Sequence, residues 1–222
     1  MRDMVEPFRI RLGGRAPVQQ SQVTCGSTSL IVARMLVDPV FARWVAQGCP
    51  SGPDVPSGHD LPGGGTEDQR LAALEQIVLA RTTSLIGPGG PFQLPWPRRL
   101  GTPPWGARSE LEDGAAEIGV RYEIVWCRLG SQGRLRRHHD EIRQRVRPGR
   151  PGILYVGSRW LPRHVTLVVP TASGDGVEVY DPATGRVQAL PATTFGPRRL
   201  ELAGWDVPWC LVLPRRDHSA AP

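Results

Sequence analysis

Residues 25–37 read Cys-Gly-Ser-Thr-Ser-Leu-Ile-Val-Ala-Arg-Met-Leu-Val, and their reading decides the fold. The run is apolar almost all round, and Arg34 is its sole charge. Serine and threonine crowd its start, and Asp38-Pro39 ends it. This pattern predicts a buried helix of about three turns with Cys25 at or just before its N-terminus. A helix N-terminus gathers unpaired N–H groups and the positive end of the macrodipole, so a thiolate is favoured there.

Working outward, Phe8 to Gln22 is polar and glycine-containing and reads as an extended lead-in. Downstream, Val40 to Gln47 reads as a second short helix. Residues 48–65 are rich in proline and glycine and end in Gly63-Gly64-Gly65, a loop signal. Thr66-Glu67-Asp68-Gln69 then caps an amphipathic helix through Leu71, Leu74, Ile77, Val78 and Arg81. Residues 87–107 form a second long loop rich in proline, glycine and tryptophan, and Ser109 to Ile118 reads as a third helix.

From residue 120 the character changes. Arg121 to Arg128 is a strand and Asp140 to Val146 a helix. Further strands are expected at Ile153 to Val156, Val165 to Val169, Val177 to Tyr180, Arg186 to Leu190 and Trp209 to Leu213. Turn chemistry at Ser173-Gly174-Asp175-Gly176 and Asp181-Pro182-Ala183-Thr184-Gly185 separates them. Helices first and strands second make an α+β fold. The chain reads as one domain, with a helical half over about 19–118, a strand-rich half over about 120–214, and 48–65 and 87–107 as loop insertions.

All 27 basic residues are arginine, against 21 acidic ones, for a net charge of +6. With 26 glycines and 23 prolines, this most simply reflects a compositional bias of the source genome. The one dense basic cluster, Arg134, Arg136, Arg137, His138 and His139, reads as a solvated loop leading into a helix. No nucleic-acid motif surrounds it, so a nucleic-acid partner is not expected. Met1 to Ile10 lacks an apolar signal region, and no apolar run approaches the ~18 residues of a membrane span. A soluble cytoplasmic protein with no membrane partner is expected, unless a route that needs no cleavable signal exports it. Its oligomeric state is not legible.

The four cysteines are Cys25, Cys49, Cys127 and Cys210. None forms a CxxC pair and none lies at metal-ligand spacing with histidine, so neither a metal nor a cofactor is expected. An even count would allow disulfides in an oxidising compartment, but nothing else points to one. Cys127 and Cys210 sit in apolar, strand-like runs and read as inert buried thiols.

Cys25 is different. A cysteine nucleophile needs an accessible thiolate, an imidazole within reach, a group that orients the imidazole, and donors for the oxyanion. Gly26, next to Cys25, would let substrate approach the backbone closely. His164 heads the run His-Val-Thr-Leu-Val-Val, and Asp181 ends the next strand in Val-Glu-Val-Tyr-Asp-Pro. Antiparallel strands joined by a hairpin bring the end of one beside the start of the other. Gln19, six residues before Cys25, is close enough to donate an amide N–H to an oxyanion, although Gln20 and Gln22 are neighbours. His59, His138, His139 and His218 head no core strand. Trp96, Trp105 and Trp160 either pack the proline-rich loops or line a groove, and Trp160, four residues before His164, is the one placed to border a cleft.

Gln19-x5-Cys25-Gly26, a distant His164 heading a strand and Asp181 in a Tyr-Asp-Pro turn together resemble the papain-like superfamily of cysteine peptidases. The pattern is most similar to the C39-like peptidases, the double-glycine leader peptidase group and its stand-alone relatives. The resemblance covers residues 19–36 and roughly 150–190. It implies a papain-like fold, a Cys25-His164-Asp181 triad, and Gln19 completing the oxyanion hole. On spacing the resemblance favours Gln19 over Gln20 and Gln22, without deciding among the three. The chain reads Cys-Gly-Ser-Thr-Ser where papains read Cys-Gly-Ser-Cys-Trp, which argues against papain proper. Residues 1–222 show no sign of the transporter fusion typical of the leader peptidases, so leader-peptide cleavage coupled to export is not expected.

The reading is therefore a peptidase that cleaves a peptide or isopeptide bond of a peptide or protein substrate through an acyl-thioester. A transglutaminase-like, deamidase or other acyl-transfer enzyme would use the same site with a different acceptor. A protein-binding module or effector without catalysis is the alternative from another class.

Overall fold

A computed structural model describes residues 8–14, 16–48 and 65–216. Helices α1 (Cys25–Val37), α2 (Pro39–Gln47), α3 (Glu67–Thr83) and α4 (Pro104–Glu110) come first. Strand β1 (Tyr122–Trp126) and helix α5 (Gln132–Arg145) follow. Then come β2 (Gly152–Gly157), β3 (Pro162–Pro170), β4 (Val177–Asp181), β5 (Arg186–Ala189), a short α6 (Ala192–Phe195) and β6 (Val207–Pro214). This is the α+β layout the sequence predicts, with N-terminal helices and a C-terminal antiparallel sheet.

The strands form one sheet in the order β1-β6-β2-β3-β4-β5, and every pairing is antiparallel. The last strand thus slots between the first two. Both faces of the sheet are covered, and the side chains sort with period two. Ile153, Tyr155, Val165, Leu167, Val169 and Val212 pack with the buried residues of α1 to α4. Leu154, Val156, Val168, Val179 and Leu211 pack with Leu135 and Ile142 of α5 and Phe195 of α6. Two covered faces explain why β2 is apolar without alternation and why β2 and β4 are buried throughout.

Helix α1 runs through the middle of the first core layer. Leu30, Ile31, Val32, Ala33 and Met35 are all buried. Each large aliphatic side chain among them contributes roughly 1.5–3 kcal/mol by leaving water. Asp38 ends α1 in an extended conformation and caps α2, its carboxylate accepting from the Phe41 N–H at 2.9 Å. Thr66 and Gln69 form the predicted capping box at the start of α3.

Three expectations need correction. The helix expected from Ser109 is α4 and begins at Pro104, because proline at the first turn loses no hydrogen bond there. It passes through a π-helical turn at Leu111–Ala115 and ends before Ile118, since Gly114 adopts φ 135°. The basic cluster is not a loop: α5 starts at Gln132, capped by the Ser131 hydroxyl, so Arg134 to His139 lie on the helix and His139 faces inward. Loop 48–65, with Cys49 and His59, lies almost wholly outside the described residues, as does His218.

Candidate active site

The site forms where the N-terminus of α1 meets the start of β3. Ser29 on α1 donates its hydroxyl to the Val165 carbonyl of β3 at 3.3 Å. Cys25 lies one helical turn earlier, and His164 is the residue before Val165, so this contact sets the two side by side. Strand β3 pairs with β4 through Leu167↔Tyr180 and Val168↔Val179. Continuing that register by one step sets Asp181 opposite Thr166, on the same side of the strand as His164.

All three side chains are nearly hidden: Cys25 is 6% exposed, and His164 and Asp181 are each 5% exposed. His164 Nε2 lies 2.7 Å from Asp181 Oδ1. A carboxylate only accepts, so Nε2 carries the proton of that bond. The ring's other neighbour is Cys25, which acts on the imidazole and favours its charged form. With Nε2 taken, Nδ1 is the nitrogen left to face the sulfur. Burial pulls the His164 pKa down, but the bonds to Asp181 and Cys25 and their charges outweigh it and raise the imidazole to about 9. Burial pushes Asp181 up, yet His164, the Ala183 N–H and the Thr184 hydroxyl hold the carboxylate below its ordinary value.

No protein-family model matches this sequence, and no curated protein matches it either. Among solved structures, the chain is similar to the crystal structure of the Pseudomonas avirulence protein AvrPphB. The two are 15% identical, the match covers 86% of this chain and 90% of that one, and the TM-score is 0.45.

The lead-in is strapped across the β4–β5 hairpin. Its N–H groups donate from Gly13 to Val187, from Ala16 to Gly185 and from Gln19 to Pro182. The Tyr180 hydroxyl donates to the Pro17 carbonyl. Gln19 is thereby pinned to the turn that carries Asp181. Its Nε2 gives one proton to the Ser21 carbonyl at 2.8 Å and keeps a second. Gln20 uses its amide on the Val18 carbonyl in an exposed position, and the Gln22 side chain is exposed.

Thr24 precedes α1 without capping it by its side chain. Its hydroxyl donates instead to Glu75 Oε2 at 2.6 Å. The first-turn N–H groups of α1 therefore have no side-chain acceptor, and the turn contains no acid.

Gly26 is a point of close packing. A Cβ there would come within 2.5 Å of Thr102 Cβ, so the missing side chain makes room for Thr102. Thr102 is buried, and its carbonyl accepts from the Tyr155 hydroxyl at 3.1 Å. The end of the 87–107 segment is thus a wall of the site. Trp160 is 66% exposed in the turn between β2 and β3, its ring 4.5 Å from the Arg159 guanidinium. Among the described residues no contact ties it to Cys25. Trp96 and Trp105 pack edge to face at 5.2 Å, so they brace the long loop.

A cavity of about 650 Å³ opens at the far ends of α1 and β3, lined by Arg9, Leu36, Arg147, Val169 and Glu178. Among the described residues no group of His, Cys, Asp and Glu could hold a metal ion, and no helix is long and apolar enough to cross a membrane. Sequence reasoning missed Glu75, Thr102 and Tyr155, because a lone residue in a helix, loop or strand carries no local signal of a contact across the fold.

Proposed function

We propose that this chain is a cysteine peptidase of the papain-like kind, with Cys25 as nucleophile, His164 as proton carrier and Asp181 as the group that orients it. The observation that carries the reading is that one buried imidazole bridges a helix-terminal cysteine and a carboxylate held at 2.7 Å. The Gln19-x5-Cys25 spacing and the order Cys, His, Asp support the C39-like group within that superfamily.

His164 takes the thiol proton on Nδ1, giving a thiolate–imidazolium pair. The thiolate adds to the carbonyl carbon of a peptide or isopeptide bond. The Cys25 N–H and the free proton of Gln19 Nε2 meet the resulting oxyanion. His164 returns its proton to the leaving amine as the C–N bond breaks, leaving an acyl-thioester on Cys25. Water then gives a proton to His164 and adds to the thioester, and the thiolate departs. Asp181 keeps Nε2 protonated and Nδ1 facing the sulfur throughout.

Iodoacetamide labelling over a pH series, read by mass spectrometry at each cysteine, tests this. Cys25 is expected to alkylate well below neutral pH in wild type and to lose that reactivity in His164→Ala. Slow, equal labelling of all cysteines would sink the reading.

A further inference from the structure

Glu75 is a buried carboxylate in the middle of α3 that the proposed chemistry does not use. Its Oε1 accepts from the Gln20 N–H at 3.0 Å and the Thr28 hydroxyl at 2.7 Å. Its Oε2 accepts from the same N–H at 3.1 Å and from the Thr24 hydroxyl at 2.6 Å. Burying a carboxylate costs free energy, and the burial raises the Glu75 pKa against the pull of these bonds. An aliphatic side chain would fill this part of the core at less cost.

All of these contacts fall on one short stretch of chain. They land one residue after Gln19, one residue before Cys25, and one turn into α1. Gln19 is already tied on its other side to the Asp181 turn, through its N–H to the Pro182 carbonyl at 2.9 Å. The loop between the two proposed oxyanion donors thus has one anchor on the sheet and one on Glu75.

We propose that Glu75 is a positioning residue that fixes the separation of the Gln19 amide and the Cys25 N–H, so that both donors meet the same oxyanion. The inference rests on the peptidase reading above. Among the described residues Glu75 makes no hydrogen bond or ion pair with His164 or Asp181, so its loss releases the loop and leaves the Cys25–His164–Asp181 chain in place.

Two reactions of one sulfur separate these effects. Iodoacetamide is attacked at a saturated carbon and expels iodide, so no oxyanion forms. p-Nitrophenyl acetate is attacked at a carbonyl, passes through a tetrahedral oxyanion, and expels p-nitrophenolate to leave S-acetyl-Cys25. The ratio of the two rates at Cys25 reads the oxyanion donors alone.

In Glu75→Gln, acetylation of Cys25 is expected to fall roughly 10- to 100-fold, less than the full loss of an oxyanion donor. Alkylation is expected to stay within about threefold of wild type or to rise, because a negative charge near the thiolate has been removed. Thr28→Val, which removes one of the donors to Glu75 and alters no proposed catalytic group, should shift the ratio the same way by about three- to tenfold. It carries the test if Glu75→Gln does not fold. An unchanged ratio, or a proportional loss of both rates, overturns the inference while the peptidase reading stands. Wild-type protein whose Cys25 neither alkylates nor acetylates overturns that reading and the inference with it.

Discussion

His164 and His139 are buried to almost the same degree, 5% and 3% exposed, yet their surroundings have nothing in common. His164 stands between a carboxylate and a sulfur. His139 Nε2 meets the neutral Leu190 carbonyl at 2.7 Å, its Nδ1 has no hydrogen-bond partner among the described residues, and its ring rests against Phe195 at 5.9 Å. The cysteines divide the same way. Cys25 opens a helix and faces His164. Burial, helped by the Glu141 charge, pushes Cys127 up to about 12, and burial beside Cys127 pushes Cys210 well above the ordinary thiol value. Burial is therefore common to both regions, and reactive partners belong to one. A hidden imidazole or thiol becomes a chemical group only when its neighbours can take up the charge it generates.

Substituting the nucleophile is the strongest way to break that contrast. Cys25→Ala is expected to lower peptidase or acyl-transfer turnover by about 10⁴-fold or more. Its circular dichroism and melting temperature should stay close to wild type. Cys127→Ala should keep full turnover. A Cys25→Ala protein with wild-type activity would erase the distinction.

The histidine pair comes next. His164→Ala should cost roughly 10³- to 10⁴-fold in turnover. His139→Leu should leave turnover within about twofold and change only stability, by about 1 kcal/mol, as it exchanges one buried hydrogen bond for apolar contact. Equal losses in both variants would mean that burial, not partnership, sets the behaviour.

Asp181→Asn sharpens the comparison through pH. The raised imidazole near 9 means that His164 keeps its proton through neutrality and gives it up as pH rises through that value. The activity profile should have its alkaline limb near pH 9, and in Asp181→Asn that limb should move down toward the ordinary histidine value of 6.5. Turnover should fall roughly 10²- to 10⁴-fold. Stability follows the same sign. A pKa raised in the folded state stabilises fully below about 6.5 and is lost as pH climbs through about 9. Asp181, held low, contributes above its ordinary value of 3.8, and that share is lost as pH falls through its lowered value. A thermal melt series in both proteins checks these signs, and an unmoved alkaline limb would detach Asp181 from His164.

Much of this was legible in the residues. The apolar run after Cys25 and the Asp38-Pro39 stop gave α1 to the residue, because helix length and a proline break are local properties. His164 and Asp181 could be paired from hairpin logic alone, since adjacent antiparallel strands leave little choice of partner. The insertion of β6 between β1 and β2 was not legible, because it joins segments far apart in sequence whose apolar patterns fit several neighbours equally. The packing of Gly26 against Thr102 was not legible for the same reason, since Thr102 lies in another segment. The inward turn of His139 escaped because the arginines around it mask the helical period of α5.

The smallest expected effect tests the inert side. Cys210 is 1% exposed on β6, paired in register with Tyr155 of β2 and Trp126 of β1. Its sulfur makes no hydrogen bond among the described residues, and a thiol tolerates that because it is a weak donor. A hydroxyl does not, so Cys210→Ser buries an unsatisfied polar group at a cost of roughly 1–3 kcal/mol with almost no change in volume. The loss should appear as a lower urea midpoint at unchanged slope. Turnover of the folded protein and low-pH alkylation of Cys25 should both stay at wild-type levels. Should turnover fall along with the midpoint, the sheet interior would be coupled to the α1 corner, and the two regions would have to be treated as one.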